Sequence, residues 1–220
     1  LHIGGRGLDP NRTSNFNTRQ NSYDISADVL GYPESYYTPP AEAIKEIQIV
    51  RGAASLQYGT QFGGLINFVL KEPPNKKIDA VIRNTIGSNN QYTNFTSIGG
   101  KKNKFSFYTF YNHKRGDGFR NNSNYKSNNV YVHLKQNLSN KSELSGEVTY
   151  MNYLAKQAGG LSDRMFINNP LQSNRSRNWF ELDWLLYNFK FKHRFNEKTN
   201  LSFNLFGLDA ERNTVGFRTC

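Results

Sequence analysis

Apolar and polar residues alternate most strictly over 185–195. Leu185, Tyr187, Phe189, Phe191, His193 and Phe195 share one face, and Leu186, Asn188, Lys190, Lys192 and Arg194 share the other. A two-residue period marks a strand with two chemically different faces. The pattern recurs over 78–86 (Ile78, Ala80, Ile82, Ile86), 128–138 (Val130, Val132, Leu134), 143–153 (Leu144, Val148, Tyr150) and 200–207 (Leu201, Phe203, Leu205). Two further segments, 92–98 and 104–112, alternate less decisively and complete a set of seven predicted strands. Short polar turns at 99–103, 139–142 and 196–199 alternate with a short link at 87–91 and longer ones at 113–127 and 155–181. A meander crossing a bilayer has tight turns on one side and longer loops on the other. A soluble sandwich gives similar strand spacing but no reason for the alternation, and the link at 155–181 is long for a compact soluble domain.

Residues 1–71 read differently. Turn formers crowd Gly4-Gly5-Arg6-Gly7, Asp9-Pro10-Asn11, Tyr32-Pro33 and Thr38-Pro39-Pro40. Two apolar runs, 47–50 and 65–69, flank a connector rich in glycine and small residues, as two short strands would. A short helical piece is predicted over 40–47, where proline sets the entry and Ala41, Ala43 and Ile44 follow. The expectation is a small mixed α+β domain over 1–71. A linker follows at 72–77, where Pro73-Pro74 removes two donors and extends the chain, and antiparallel strands fill 78–220.

Composition changes this picture only in part. The 220 residues are 14 % aromatic, with 13 Tyr and 16 Phe, at a mean hydropathy of −0.72. No apolar run is long enough for a membrane helix, but transmembrane strands average out as polar and escape that test. The net charge of +11 and pI near 9.7 admit a soluble basic β protein that binds nucleic acid. That reading wants cations gathered on one face, whereas Lys101, Lys102 and Lys104 flank a turn and Lys190, Lys192 and Arg194 alternate with aromatics. Spread through a lumen, the same charge would draw in anionic solutes. Cys220 has no partner for a disulfide, and His2, His113, His133 and His193 lack metal-ligand spacing. Neither a nucleophile elbow nor a phosphate loop is present, so no catalytic residue, metal site or cofactor is expected. No signal peptide is visible at Leu1, and for an exported protein that absence would be expected from truncation.

Along residues 46–71 come Ile47 and Ile49, then Arg51-Gly52, Ser55, Tyr58-Gly59, Gly63-Gly64, Ile66-Asn67 and Lys71, in that order. The series resembles the central plug motif of TonB-dependent outer-membrane receptors, I-E-x-I-E-V-x-R-G-P-x-S-x-x-Y-G-x-x-x-x-G-G-x-I-N-x-x-T-K. Within that family the ferric dicitrate type is the most similar, on Arg6-Gly7-Leu8 with Pro10-Asn11-Arg12, on Gly31-Tyr32-Pro33-Glu34, and on Tyr58-Gly59-Thr60-Gln61 with Gly63-Gly64. Two departures leave dicitrate itself open. Residues 19–24 stand where the family usually has an apolar strand ending in Asp-Gly, and Thr60 stands where it has proline.

The resemblance implies that 1–71 is the C-terminal part of a plug domain and 78–220 the first strands of a transmembrane β-barrel, normally closed at 22 strands. It implies a receptor in the outer membrane of a Gram-negative bacterium that imports a ferric siderophore or ferric citrate into the periplasm. Outer-membrane lipid surrounds such a receptor, and a TonB complex drives it through a segment upstream of Leu1. A glycan, peptide, cobalamin or haem cargo would share this architecture. Gly52, Gly59, Gly63 and Gly64 are expected to serve backbone geometry, with Tyr58 and Asn67 in the same structural motif, and Arg51 and Glu46 to pair with groups of plug or wall. Gln61, Arg12 and Arg19 are the candidate ligand contacts, in polar loops at the plug apex, where arginine offers a carboxylate a two-pronged donor. Arg115, Arg120, Arg164, Arg175 and Arg177 fall in expected outer loops, and some are expected to close over ligand.

Overall fold

The computed structural model describes residues 16–29, 32–34, 36–51 and 64–216. Two compact units emerge, one from 1–72 with 204–208, the other from 73–203 and 209–220.

In the first unit, β1 (Phe16–Gln20), β2 (Tyr23–Asp24), β5 (Ile44–Val50) and β6 (Gly64–Leu70) form a sheet in the order β2-β1-β6-β5. Only β1 and β6 run parallel. Strands β3 (Ala27–Val29) and β4 (Tyr32–Glu34) pair separately. Because β6 has a strand on each side and is largely buried along its length, it reads as a continuous apolar run rather than an alternation. Its partner β5 is an edge strand, leaving Ile47 53 % and Ile49 56 % exposed.

The helix expected over 40–47 is a single 3-10 turn, Ala41–Ala43, and β5 begins at once. Short helices are marginal alone, and β-branched Ile44, Ile47, Ile49 and Val50 suit a ladder better. Pairing with β6 provides that ladder. The expected α+β character is therefore almost purely β among the described residues.

The second unit is a seven-stranded antiparallel meander in sequence order. Its strands are β7 (Asp79–Ile86), β8 (Tyr92–Lys102), β9 (Phe105–Gly116), β10 (Tyr125–Asn137), β11 (Ser142–Lys156), β12 (Trp179–Arg194) and β13 (Asn200–Val215). All seven expected strands are found, with the short turns at one end and the longer links at the other. The sheet is open, with β7 and β13 at its edges. Most strands run several residues past their apolar part toward the long-link end, because ladder hydrogen bonds need no apolar side chain.

Register explains the two faces. It aligns Ser97, Phe110, Tyr131, Thr149 and Leu186 across β8 to β12, all between 0 % and 6 % exposed. One residue further along each strand the side chains turn over, and Ile98, Val148 and Tyr187 are 41 %, 46 % and 47 % exposed. This open face stays apolar from the Phe107, Leu134, Gly146 and Phe189 row up to the Tyr111, Val130, Tyr150 and Leu185 row. The next row is polar: Asn94, His113, Asn128, Asn152 and Asp183. Two tyrosines bridge the border, Tyr111 Oη donating to Asn128 Oδ1 at 2.9 Å and Tyr150 Oη to Asp183 Oδ1 at 2.6 Å. An aromatic body on the apolar side with a hydroxyl reaching the polar side suits a membrane interface. Over 92–98 and 104–112 the alternation looked weak because β9 carries aromatics on both faces, Phe105, Phe107 and Tyr111 against Tyr108 and Phe110.

Candidate functional site

Among the plug-motif residues, Asn67 has the clearest role. It is 4 % exposed on β6, and its Oδ1 accepts from Ser22 N at 2.9 Å while its Nδ2 donates to Gln48 Oε1 at 2.9 Å. It thereby fastens the β1–β2 turn on one side and β5 on the other. That turn has Asn21 at φ 46° and Ser22 at φ 75°, the mirror-image geometry that tight hairpins prefer, and Asn21 Oδ1 accepts from Leu70 N at 2.9 Å. Gly64 opens β6 at φ 120°, a conformation that side-chain-bearing residues resist. Arg51 is exposed at the end of β5, and Glu46 accepts from Gln48 Nε2 at 3.0 Å. Gly52, Tyr58, Gly59, Gly63, Gln61 and Arg12 lie outside the described residues.

Arg19 departs from its expected placement. It sits within β1, not in a loop, and is 8 % exposed. Its Nε donates to Asn17 Oδ1 at 2.6 Å, one terminal nitrogen donates to Ser22 O at 2.8 Å, and the other lies 3.9 Å from Asp24 Oδ2. The guanidinium is thus engaged within its own hairpin.

The long links cluster chemistry at one end of the meander. They are 87–91, 117–124 and 157–178, and they are woven together. Asp117 N donates to Asn89 O at 2.8 Å and Asn90 Nδ2 to Asp117 Oδ2 at 2.5 Å, joining the first link to the second. Arg120 joins the second to the third. Its Nη1 donates to Gly159 O at 2.8 Å, its Nη2 to Gln172 O at 2.9 Å, and its Nε to Gln172 O at 3.1 Å. Asn122 Nδ2 reaches the carbonyls of Gln157, Arg175 and Asn178. Within the third link a helix, α1 (Asp163–Asn168), is capped by Ser162, and Gln172 Nε2 donates to Met165 O at 2.5 Å. Gly159 has φ 76°, and a Cβ there would collide with Asn174 Oδ1.

This separates the five arginines expected in outer loops, of which Arg115 lies in β9 and not in a link. Arg120 is a carbonyl clamp. Arg115 lies over the Tyr92 ring, 5.6 Å from its centroid. Arg164 and Arg177 are exposed, and Arg175 and Arg177 line a 220 Å³ concavity with Asn174 and Ser176. Two guanidiniums with an amide and a hydroxyl make a cluster suited to a carboxylate-bearing anion. The organising roles of Asn122 and Gln172 were not foreseen. Both lie in Asn-, Ser- and Gly-rich stretches, where their carbonyl partners are set by chain segments far away in sequence. Among the described residues no group of three or more His, Cys, Asp or Glu is placed to hold a metal ion.

No protein-family model matches the chain, and no curated protein sequence does. Solved structures do. The ferric citrate transporter FecA in its unliganded form matches over 97 % of this chain and 34 % of its own, with 21 % identity and a TM-score of 0.81. The siderophore receptor PirA from Pseudomonas aeruginosa matches over 97 % and 35 %, at 15 % identity and a TM-score of 0.66. The ferripyoverdine receptor of the outer membrane of the same organism, bound to ferripyoverdine, matches over 81 % and 25 %, at 14 % identity and a TM-score of 0.67. The chain shares the fold of these receptors and spans about a third of the length of the first two.

Proposed function

We propose that the chain is the C-terminal part of the plug and the first wall strands of a TonB-dependent receptor in the outer membrane of a Gram-negative bacterium. The whole receptor imports a ferric chelate into the periplasm, with a citrate-like anionic complex as the finer reading. The observation that carries this is a wall whose open face is apolar, joined at one end by interlocked links presenting Arg164, Arg175 and Arg177. The fold likeness to ferric-chelate receptors and the plug motif over 46–71 support it. On this reading the wall strands 78–215 sit in lipid, residues 1–71 belong to the plug, and 72–77 is the linker between the two.

The work is binding and conformational change, without covalent chemistry. An anionic complex is drawn to the cationic links and held by two-pronged donors there and by Arg12 and Gln61 of the plug. Ligand shifts the receptor only by its preference between two states; the TonB complex provides the pull on the plug.

The test uses the full receptor, fractionated and then purified in detergent. It is expected in the outer-membrane fraction, with heat-modifiable gel migration, and titration with ferric citrate should saturate. A water-soluble product, or one that binds none of ferric citrate, ferric hydroxamates and ferric catecholates, refutes the reading.

A further inference from the structure

The polar end of the open face carries a pair of cations apart from the Arg175 and Arg177 cluster. Cross-strand register sets Lys126 opposite Arg115, with Tyr92 on the far side of Arg115. Strand neighbours of this kind hold their Cβ atoms about 5 Å apart, close enough for one anion to touch both. The Tyr92 ring holds the Arg115 guanidinium from behind. Beside it opens a concavity of about 530 Å³, whose lining includes Arg115 and the neutral donors Gln91, Asn124 and Tyr125. The carboxylate there, Asp117, already accepts from Asn90 Nδ2 at 2.5 Å.

Position identifies the occupant. Arg115 is four residues beyond Tyr111, the border tyrosine on the same face of β9. Four residues span about 13 Å along a strand, or about 10 Å along the bilayer normal at the usual tilt. That is headgroup depth just above the hydrocarbon. From this pair down to Lys102, no other Lys or Arg lies on this face of β8, β9 or β10. The surface beside it is apolar, with Ile86 84 % and Ile82 70 % exposed. A double cation above an exposed apolar surface is complementary to an amphiphile with an anionic head.

Resting on the membrane reading above, we propose that Arg115 and Lys126 bind the phosphate-bearing headgroup of an outer-leaflet glycolipid, its chains lying on the Thr96, Tyr111 and Val130 face. Each cation offers charge-assisted hydrogen bonds to phosphate oxygens, Arg115 as a fork and Lys126 as a point charge.

The experiment is native mass spectrometry of the full receptor in maltoside micelles, titrated with bisphosphorylated lipid A, phosphatidylcholine or inorganic phosphate. Lipid A should be retained and phosphatidylcholine lost. Arg115→Ala with Lys126→Ala should weaken lipid A retention about ten- to hundred-fold. Lys114→Ala, next in sequence but on the opposite face of β9, should leave it unchanged. Equal loss in Lys114→Ala, no loss in the double variant, or displacement of lipid A by millimolar inorganic phosphate would each overturn the assignment. Heat-modifiable migration reports folding of each variant. Ferric citrate titration of the same preparations reports the receptor reading separately, so failure of one is not mistaken for failure of the other.

Discussion

Replacing Arg120 by alanine should loosen the long links while sparing the wall. Its guanidinium makes contacts of 2.8 Å to Gly159 O and of 2.9 Å and 3.1 Å to Gln172 O. A hydrogen bond to a charged group is worth about 1.5–3 kcal/mol. Arg120 is only half-buried, so water recovers part of this for the abandoned carbonyls, and about 2–4 kcal/mol remains for the two well-made contacts. The loss belongs to local opening, not to global unfolding. Hydrogen exchange of the full receptor reads it at two amides, Asn121 N to Leu171 O between the second and third links and Gln157 N to Asn178 O at the base of the third, both 3.0 Å. Protection there should fall about thirty- to several-hundred-fold. Leu138 N, which donates to Ser142 O at 2.9 Å in a tight turn, is the control and should not change. Arg120→Lys should restore less than half the protection, because an ammonium cannot reproduce the fork. Unchanged exchange at Asn121 and Gln157 in the alanine variant would refute the clamp.

Phe189→Lys should cost up to about 2–4 kcal/mol, the midplane value, since it places a charge on the proposed lipid side of β12; spin labels at 189 and 190 should meet lipid-soluble and water-soluble relaxants respectively, and equal water access at both would end the barrel assignment of this strand. Asn67→Ala should destabilise the plug sheet by about 1–3 kcal/mol by stranding Ser22 N, seen as faster exchange at Ser22 and Leu70; unaltered exchange would show that the turn holds without it. Arg175→Ala with Arg177→Ala should weaken ferric citrate binding about ten- to hundred-fold with folding intact, and Gln61→Ala with Arg12→Ala is expected to do the same from the plug side. Unchanged affinity in a folded double variant removes that pair from the site.

The wall was legible because its signal is local. Strict alternation at 185–195 reflects an open, largely aromatic face and an opposite face that is buried at Leu186 and Asn188 and cationic beyond them, and both faces are written into consecutive residues. The plug sheet was half legible. Motif runs marked β5 and β6, but β1 reads Phe-Asn-Thr-Arg-Gln and looks like a loop. It is a strand because β6 offers it a parallel ladder and because its polar side chains are paid for by Asp24 and Tyr23, with Gln20 Nε2 2.5 Å from Tyr23 Oη. No period in five residues announces that. The short helix failed for the mirror reason, since local propensity at Ala41 and Ala43 lost to pairing across the sheet.

Arginine shows the limit most clearly. Arg19, Arg115, Arg120 and Arg177 all occur in polar surroundings rich in Asn and Ser, and sequence gives each the same reading, a cation free for an anion. The fold divides them by what lies within reach of the fork. Arg19 has its own hairpin's oxygens, Arg115 an aromatic ring, and Arg120 the carbonyls of a link 39 to 52 residues away. Such carbonyls carry no side-chain signature, so the clamp is invisible until the links are placed. It also bears on recognition. On the proposed reading, interlocked links hold Arg175 and Arg177 in place before any ligand arrives, and affinity would then lose less to ordering entropy on binding. A link body already fastened by Arg120 and Asn122 can close over ligand only as a unit. Closure would therefore pivot where the links leave β9, β11 and β12, and not within residues 157–178.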